Sequence, residues 1–326
     1  MHNIIGIDIG GTKCSVTFGE YSDKGDIQIV DKLAFPTEVQ LGAQYTLDKI
    51  IKYIEYGMEK NSIKLNSLKG IGISCGGPLD SRKGIIMSPP NLIGWDNIHI
   101  VELLEETFGV KTRLQNDANA CALAEWKFGA AKGYRNVIFL TFGTGMGAGL
   151  ILDGRLYSGT NDMAGEVGHI RLSEIGPVGY GKSGSFEGFC SGGGIAQLAR
   201  IKVLERLQAG ESVAFCKSLD MLDGLNAKIV GDAAEAGDEL AKEIYRISGH
   251  FLGTGISILI DILNPEIIVI GSIYARSEGL LSESAREVVI RECISYSRNV
   301  CKIVPAGLGE QLGDYAALAV AVDEQD

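Results

Sequence analysis

No two cysteines of this chain form a C-x-x-C pair; the seven present are scattered and odd in number. That usage excludes a disulfide scaffold and a cysteine-rich metal knot, and it fits reduced thiols in a cytoplasmic protein. Positive charge is scarce as well. Thirty Lys and Arg face 41 Asp and Glu, for a net charge of −11. With no basic stripe, a nucleic-acid or anionic-membrane surface is excluded, and the acidity serves solubility. No apolar run reaches the roughly 18 residues that span a bilayer, and no basic-then-apolar leader precedes the first strand. The expectation is therefore no nucleic acid, no membrane and a cytoplasmic location.

What is present is a glycine-rich strand-turn-strand, twice. Ile4-Ile5-Gly6-Ile7-Asp8-Ile9-Gly10-Gly11-Thr12-Lys13 is followed far downstream by Val137-Ile138-Phe139-Leu140-Thr141-Phe142-Gly143-Thr144-Gly145-Met146-Gly147. Each opens with a β-branched run suited to a buried strand and then sets glycines where the backbone turns and exposes N–H groups to an anion. Neither spacing is that of a P-loop or a dinucleotide fingerprint. Those motifs open a helix, whereas Cys14–Phe18 and Ala148–Leu152 read as returning strands, so each turn closes a hairpin. A glycine hairpin alone is usually a tight turn; its repetition points to two phosphate cradles.

A chain of 326 residues, 45% of them hydrophobic, is long for one core and predicts two lobes. Helical spacing runs over Tyr45–Lys60, Val101–Phe108, Asp238–Leu263 and Tyr315–Val322; Gly70–Ser74, Lys111–Leu114 and Ile267–Ile270 read as strands. Asn116-Asp117-Ala118-Asn119-Ala120 opens a further helix that runs to Phe128, which puts Asp117 at a strand end and helix start. Taken alone, Asp117 could be no more than a helix N-cap. The stretch Gly176–Gly194 is rich in glycine and serine and reads as an ordered binding loop.

Asp-x-Gly-Gly-Thr-Lys, Asn-Asp-Ala-Asn-Ala, Thr-Phe-Gly-Thr-Gly-Met-Gly and Gly165-Glu166-Val167-Gly168-His169, in that order over most of the chain, resemble the ROK family of sugar kinases and repressors. The resemblance implies an α/β, actin-like fold of two ribonuclease H-like lobes with ATP in the cleft between them. On the repeat, residues 1–115 form a small lobe, completed by a helix over 312–326, and 116–311 a large one. Family repressors carry an added amino-terminal winged helix; Met1-His2-Asn3 leaves no room for one, which favours the kinase branch.

The same resemblance distributes roles. Gly10, Gly11, Thr12 and Lys13 face the outer phosphates of ATP, and Asp8 faces magnesium or its waters. Thr141, Gly143, Thr144 and Gly145 hold phosphate from the other lobe, and Gly271 with Ser272 lies near adenosine. Asp117 is the catalytic base. Gly77, Asn91, Asn116, Glu166, His169 and Glu187 fall where the family contacts its hexose. Most relatives follow the histidine with a loop bearing three cysteines that bind zinc with it; Gly179–Glu187 here has none, so no structural zinc is expected. Packing of Tyr180 and Phe186 would then place Glu187, with Cys190 nearby. The implied activity is ATP-dependent phosphorylation of a hexose or amino sugar, glucose first, giving a sugar 6-phosphate. N-acetylmannosamine and fructose are alternatives, as are a non-catalytic sugar sensor and an actin-like ATPase. A homodimer is compatible with all of these.

Overall fold

The computed structural model describes residues 1–323, so residues 324–326 of the expected carboxyl-terminal segment lie outside the described residues. The chain divides into two compact units. The first comprises 1–135, 149–164 and the described residues from 307 onward; the second comprises 136–148 and 165–306. Residue 115, where the repeat placed a division, falls within the first unit.

The first unit begins with three strands, β1 (His2–Ile9), β2 (Lys13–Tyr21) and β3 (Ile27–Pro36), followed by helix α1 (Ala43–Lys60) and strand β4 (Leu68–Cys75). Helix α2 (Ile100–Phe108) then leads to β5 (Thr112–Asn116), which runs directly into α3 (Asp117–Phe128). The sheet order is β3-β2-β1-β4-β5. The three leading strands are antiparallel, and β4 and β5 join them in parallel. This register sets Asp8 beside Ser74, and Cys75 beside Asn116, so Asp8 and Asp117 emerge at the same end of the sheet, past the carboxyl ends of its parallel strands. Parallel strands must be buried on both faces, which explains the near-continuous isoleucines of β1 and β4.

In the second unit, strand β6 (Val137–Leu140) ends in the second glycine turn. Helices α4 (Gly192–Gln208) and α5 (Glu239–Leu263) precede strand β7 (Ile267–Ile270), and α6 (Glu278–Glu292) precedes β8 (Lys302–Pro305). β7 lies between β6 and β8, parallel to both. Helix α5 corrects one expectation. By length and composition it is apolar enough to cross a bilayer, but half of its most apolar window is buried within the protein. Glycines explain that burial: a Cβ on Gly253 would lie 2.4 Å from the Ala285 carbonyl oxygen, and one on Gly249 2.6 Å from that of Leu281, so α5 meets α6 backbone to backbone.

The chain then returns to the first unit, where α7 (Leu312–Ala321) packs against β1, β4 and α3. Gly6, Gly70 and Gly72 make room for it.

Candidate active site

In the first unit the turn after β1 is closed by the Gly10 N–H, which donates to the Lys13 carbonyl at 3.1 Å, and the Thr37 hydroxyl donates to the Gly10 carbonyl. A side chain at Gly11 would collide with the Asn91 carbonyl oxygen, only 2.5 Å from where its Cβ would stand. Thr12 and Lys13 are exposed. Asn91 also reaches Gly76, whose Cβ position lies 3.7 Å from its Oδ1, and the Cβ position of Gly77 lies 3.2 Å from Asn116 Nδ2. The structure therefore gathers Gly11, Gly77, Asn91, Asn116 and Asp117 around the ends of β1, β4 and β5.

The helix N-cap is Asn116 rather than Asp117. Its Oδ1 accepts from Ala118 N–H at 2.9 Å, and Asp117 Oδ1 shares the same donor at 2.8 Å. Asp117 keeps a solvent-facing side chain. Surrounding protein nevertheless displaces enough water to raise its pKa above the ordinary carboxylate value. Asp8 is pushed up to about 6, first by desolvation and then by the charge of Asp117, with Asp314 adding to the rise and Lys32 and Lys13 opposing it. Asp314 itself is held by Lys32 and by the Thr17 hydroxyl. A carboxylate whose pKa is raised by desolvation and by a neighbouring carboxylate suits a divalent cation, whose charge would favour its ionised form, and hard oxygen donors suit magnesium.

In the second unit Thr141 donates its N–H to the Gly147 carbonyl at 2.9 Å, and its Oγ1 accepts from Gly147 N–H at 2.8 Å. Its hydroxyl thus closes the hairpin, while Thr144 remains exposed at the tip. Gly143 is bracketed by two neighbours. Its carbonyl accepts from Gly192 N–H at 2.8 Å, and its Cβ position is 3.3 Å from Ser272 Oγ. Gly271 donates its N–H to the Leu140 carbonyl, and Ser272 follows with a φ of 54°. The second glycine turn, Gly271 and Ser272 therefore share one corner.

Glu187 reaches that corner. Its Oε2 accepts from Met146 N–H at 3.0 Å, and a Cβ on Gly145 would lie 2.7 Å from the same oxygen. Gly168 presses on Met146 and Glu187, which brings in the turn that carries the exposed Glu166 and His169. Reading the sequence missed Ser191, whose Oγ caps α4 by accepting from Gly194 N–H at 3.0 Å; its signal was the Ser-Gly-Gly-Gly run before an apolar helix. Asp314, in the first turn of the last helix, carried no signal.

The ROK family model matches residues 4–324. The chain belongs to the ROK family. Its ROK relatives include the glucokinase of Halalkalibacterium halodurans, 34% identical over 269 residues that cover 82% of this chain and 79% of that protein. The glucokinase of Streptomyces coelicolor is 30% identical over 319 residues, 97% of this chain and 96% of the relative. The DNA-binding transcriptional dual regulator NagC of Escherichia coli is 28% identical over 321 residues, 98% of this chain and 75% of the regulator. Among solved ROK structures, the hexokinase from Thermus thermophilus matches with a TM-score of 0.78 and 27% identity, over 98% of this chain and 97% of that one. The glucokinase from Streptomyces griseus, solved with glucose and AMPPNP, matches with a TM-score of 0.76 and 26% identity, over 98% of this chain and 99% of that one. The fold is the actin-like α/β fold of these ROK kinases.

The loop after His169 differs from the expectation in how it is held. Val178–Gly179 and Lys182–Ser183 form a small hairpin with Tyr180 at its tip. Tyr180 is 75% exposed and meets only the edge of the His169 ring, so it packs nothing; Phe186 is fully buried. Cys190 is buried too, its thiol donates to the Ser248 carbonyl, and burial pushes its pKa far up, so it is a core residue rather than a ligand. Among the described residues no group of three His, Cys, Asp or Glu is placed to hold a metal ion.

Proposed function

We propose that this ROK protein is an ATP-dependent sugar kinase of the cytoplasm that transfers the terminal phosphoryl group of ATP to the exocyclic hydroxyl of a hexose, glucose first. The observation that carries the reading is Asp117: a carboxylate of raised pKa and exposed side chain, next to Asn116, Gly77 and Asn91. A base whose pKa is lifted towards neutrality accepts a hydroxyl proton more readily than an ordinary carboxylate, as the oxygen–phosphorus bond forms. Asn91, Asn116, Glu166, His169 and Glu187 supply paired polar groups for the remaining sugar hydroxyls, and a sugar that leaves one unpaired is rejected. Backbone N–H groups and hydroxyls at Gly10–Lys13 and Thr141–Gly145 receive phosphate oxygens, and Gly271 with Ser272 lies against the nucleoside. Magnesium bound at Asp8 would neutralise charge on the phosphates. The glucokinase relatives support this reading over most of the chain.

An ADP-release assay across hexoses and amino sugars, with ATP and magnesium, tests it. One sugar is expected to stand above the rest, with N-acetylmannosamine and fructose as the competitors. Asp117→Asn is expected to lower kcat by roughly two to four orders of magnitude with its circular dichroism unchanged. Near-normal turnover in that variant sinks the assignment of the base. Sugar binding with no sugar-dependent ADP release favours a regulator, the class to which the relative NagC belongs.

A further inference from the structure

The last residue of β5 before the Asn116-Asp117 pair is Gln115, and its amide is committed to two partners. Its Oε1 accepts from Asn116 N–H at 3.3 Å and from Asn119 Nδ2 at 3.1 Å. One side-chain oxygen thus ties the residue before the helix to the helix's first turn. Asn119 is 1% exposed, and its Oδ1 has no hydrogen-bond partner.

Both contacts require an acceptor at this one atom of Gln115. Turning the Gln115 amide over would set its Nε2–H against Asn119 Nδ2, a donor against a donor, and would leave Asn119 Oδ1 unmet as before. The same turn would set two donors, Nε2–H and Asn116 N–H, against each other. The arrangement present keeps an acceptor at Asn116 N–H and leaves a buried acceptor unmet, although native proteins rarely tolerate one. Unmet buried groups and strain persist where the surrounding structure enforces them, most often at functional sites. Asn116 Oδ1 and Asp117 Oδ1 in turn share the Ala118 N–H. The Asn116–Asp117 peptide is therefore pinned behind by Gln115 and ahead by the helix N-terminus.

We propose that Gln115 is a positioning residue, which with Asn119 as its strut sets the direction of the Asp117 carboxylate and the Asn116 amide. The inference rests on the kinase reading for its effect on turnover. Position 115 needs only an acceptor, since both partners donate to the same oxygen. Glutamate, which accepts and does not donate, meets that need; leucine, of similar size, does not.

Steady-state ADP release, with sugar and ATP varied separately, decides this for Gln115→Leu and Gln115→Glu, alongside calorimetric sugar binding and circular dichroism. Gln115→Leu is expected to lose roughly ten- to a hundredfold in kcat, the scale of a misplaced catalytic group, and to raise the sugar KM while the ATP KM holds. Gln115→Glu is expected to stay within about threefold of the parent. A merely structural role would move both KM values together and would not be rescued by an acceptor. Parental kinetics in Gln115→Leu, or equal losses in both variants, overturn the proposal. If the parent shows no sugar-dependent ADP release, the kinase reading has failed on its own. Sugar affinity weakened by leucine and kept by glutamate then supports the positioning role, and unchanged affinity overturns it.

Discussion

Glu125 lies three quarters of the way along α3, where a glutamate would ordinarily face water, and it is fully buried. Its Oε2 accepts from Ala130 N–H at 2.7 Å and from Gly307 N–H at 3.1 Å, and its Oε1 accepts from Leu308 N–H at 2.9 Å. Gly129 lies close against Oε2, with a Cβ position only 2.1 Å away. Three loop N–H groups thus converge on one carboxylate, at the stretch where the chain re-enters the first unit. Glu125→Ala strands all three donors, and each buried orphan costs about 1–3 kcal/mol. The expected result in urea unfolding is a loss of at least about 3 kcal/mol, with Glu125→Gln losing less because its amide oxygen still accepts. An alanine variant within about 1 kcal/mol of the parent would show that water replaces the carboxylate. Such residues mark the limit of reading a sequence. Asp117 could be singled out because its neighbours form an ordered set of motifs, whereas Glu125 owes its bonds to a loop 182 residues away.

Among the elements, the two glycine hairpins were legible because only glycine meets their geometry: Gly11 against Asn91, Gly145 against Glu187. The edge strand β3 was not, since Asp31 stands on its half-buried face while Val30 and Ala34 stand at exposed positions, which blurs the period. The loop after His169 was legible as ordered but not in the manner of its ordering. Gln197 on α4 accepts from Val178 N–H at 2.9 Å and donates to the Val178 carbonyl at 2.8 Å, a two-point clamp on the hairpin. Ser183 Oγ donates to the Gly176 carbonyl, Lys182 Nζ to the His169 carbonyl and Arg171 Nη1 to the Ser183 carbonyl. These bonds tie the hairpin to α4, to the Gly176 carbonyl and to the His169 turn. Two expectations follow for sugar-dependent turnover. Prolonged chelation of transition metals, with magnesium restored, leaves kcat and the sugar KM unchanged. Gln197→Ala raises the sugar KM by roughly three- to tenfold, the equivalent of about 1 kcal/mol for a lost bond of this kind. Inactivation by the chelator, reversed by added zinc, would show a metal that the hydrogen bonds do not replace.

At the scale of the whole molecule, the first unit is assembled from three separated stretches of chain, and its last helix docks on its earliest strands. A Cβ on Gly72 would lie 2.2 Å from the Ala317 carbonyl oxygen and 2.3 Å from the Ala321 nitrogen, and one on Gly6 would lie 2.8 Å from the Leu318 nitrogen. No rotamer relieves a clash between a Cβ and a backbone, so α7 itself must move. The sequence displays these glycines as ordinary members of isoleucine-rich strands; what they accommodate is a helix more than 200 residues away, so the return of that helix was expected from the family resemblance and not from local pattern, and the inclusion of 116–135 and 149–164 in this unit was not expected at all. Asp314 on that helix faces Thr17 and Lys32 and contributes to the raised pKa of Asp8, so docking of α7 is coupled to the site. Gly72→Ala is therefore expected to destabilise the protein by at least about 2 kcal/mol, the scale of overpacking, and to lower Tm by several degrees. A serine at the exposed Gly224, where an added Cβ meets nothing within 4 Å, is the matched control and is expected to leave Tm nearly unchanged. If Gly72→Ala melts with the parent, the close approach of α7 to β4 is wrong. If it melts early while magnesium-dependent turnover at low temperature is unaltered, docking of the helix stabilises the unit without tuning Asp8.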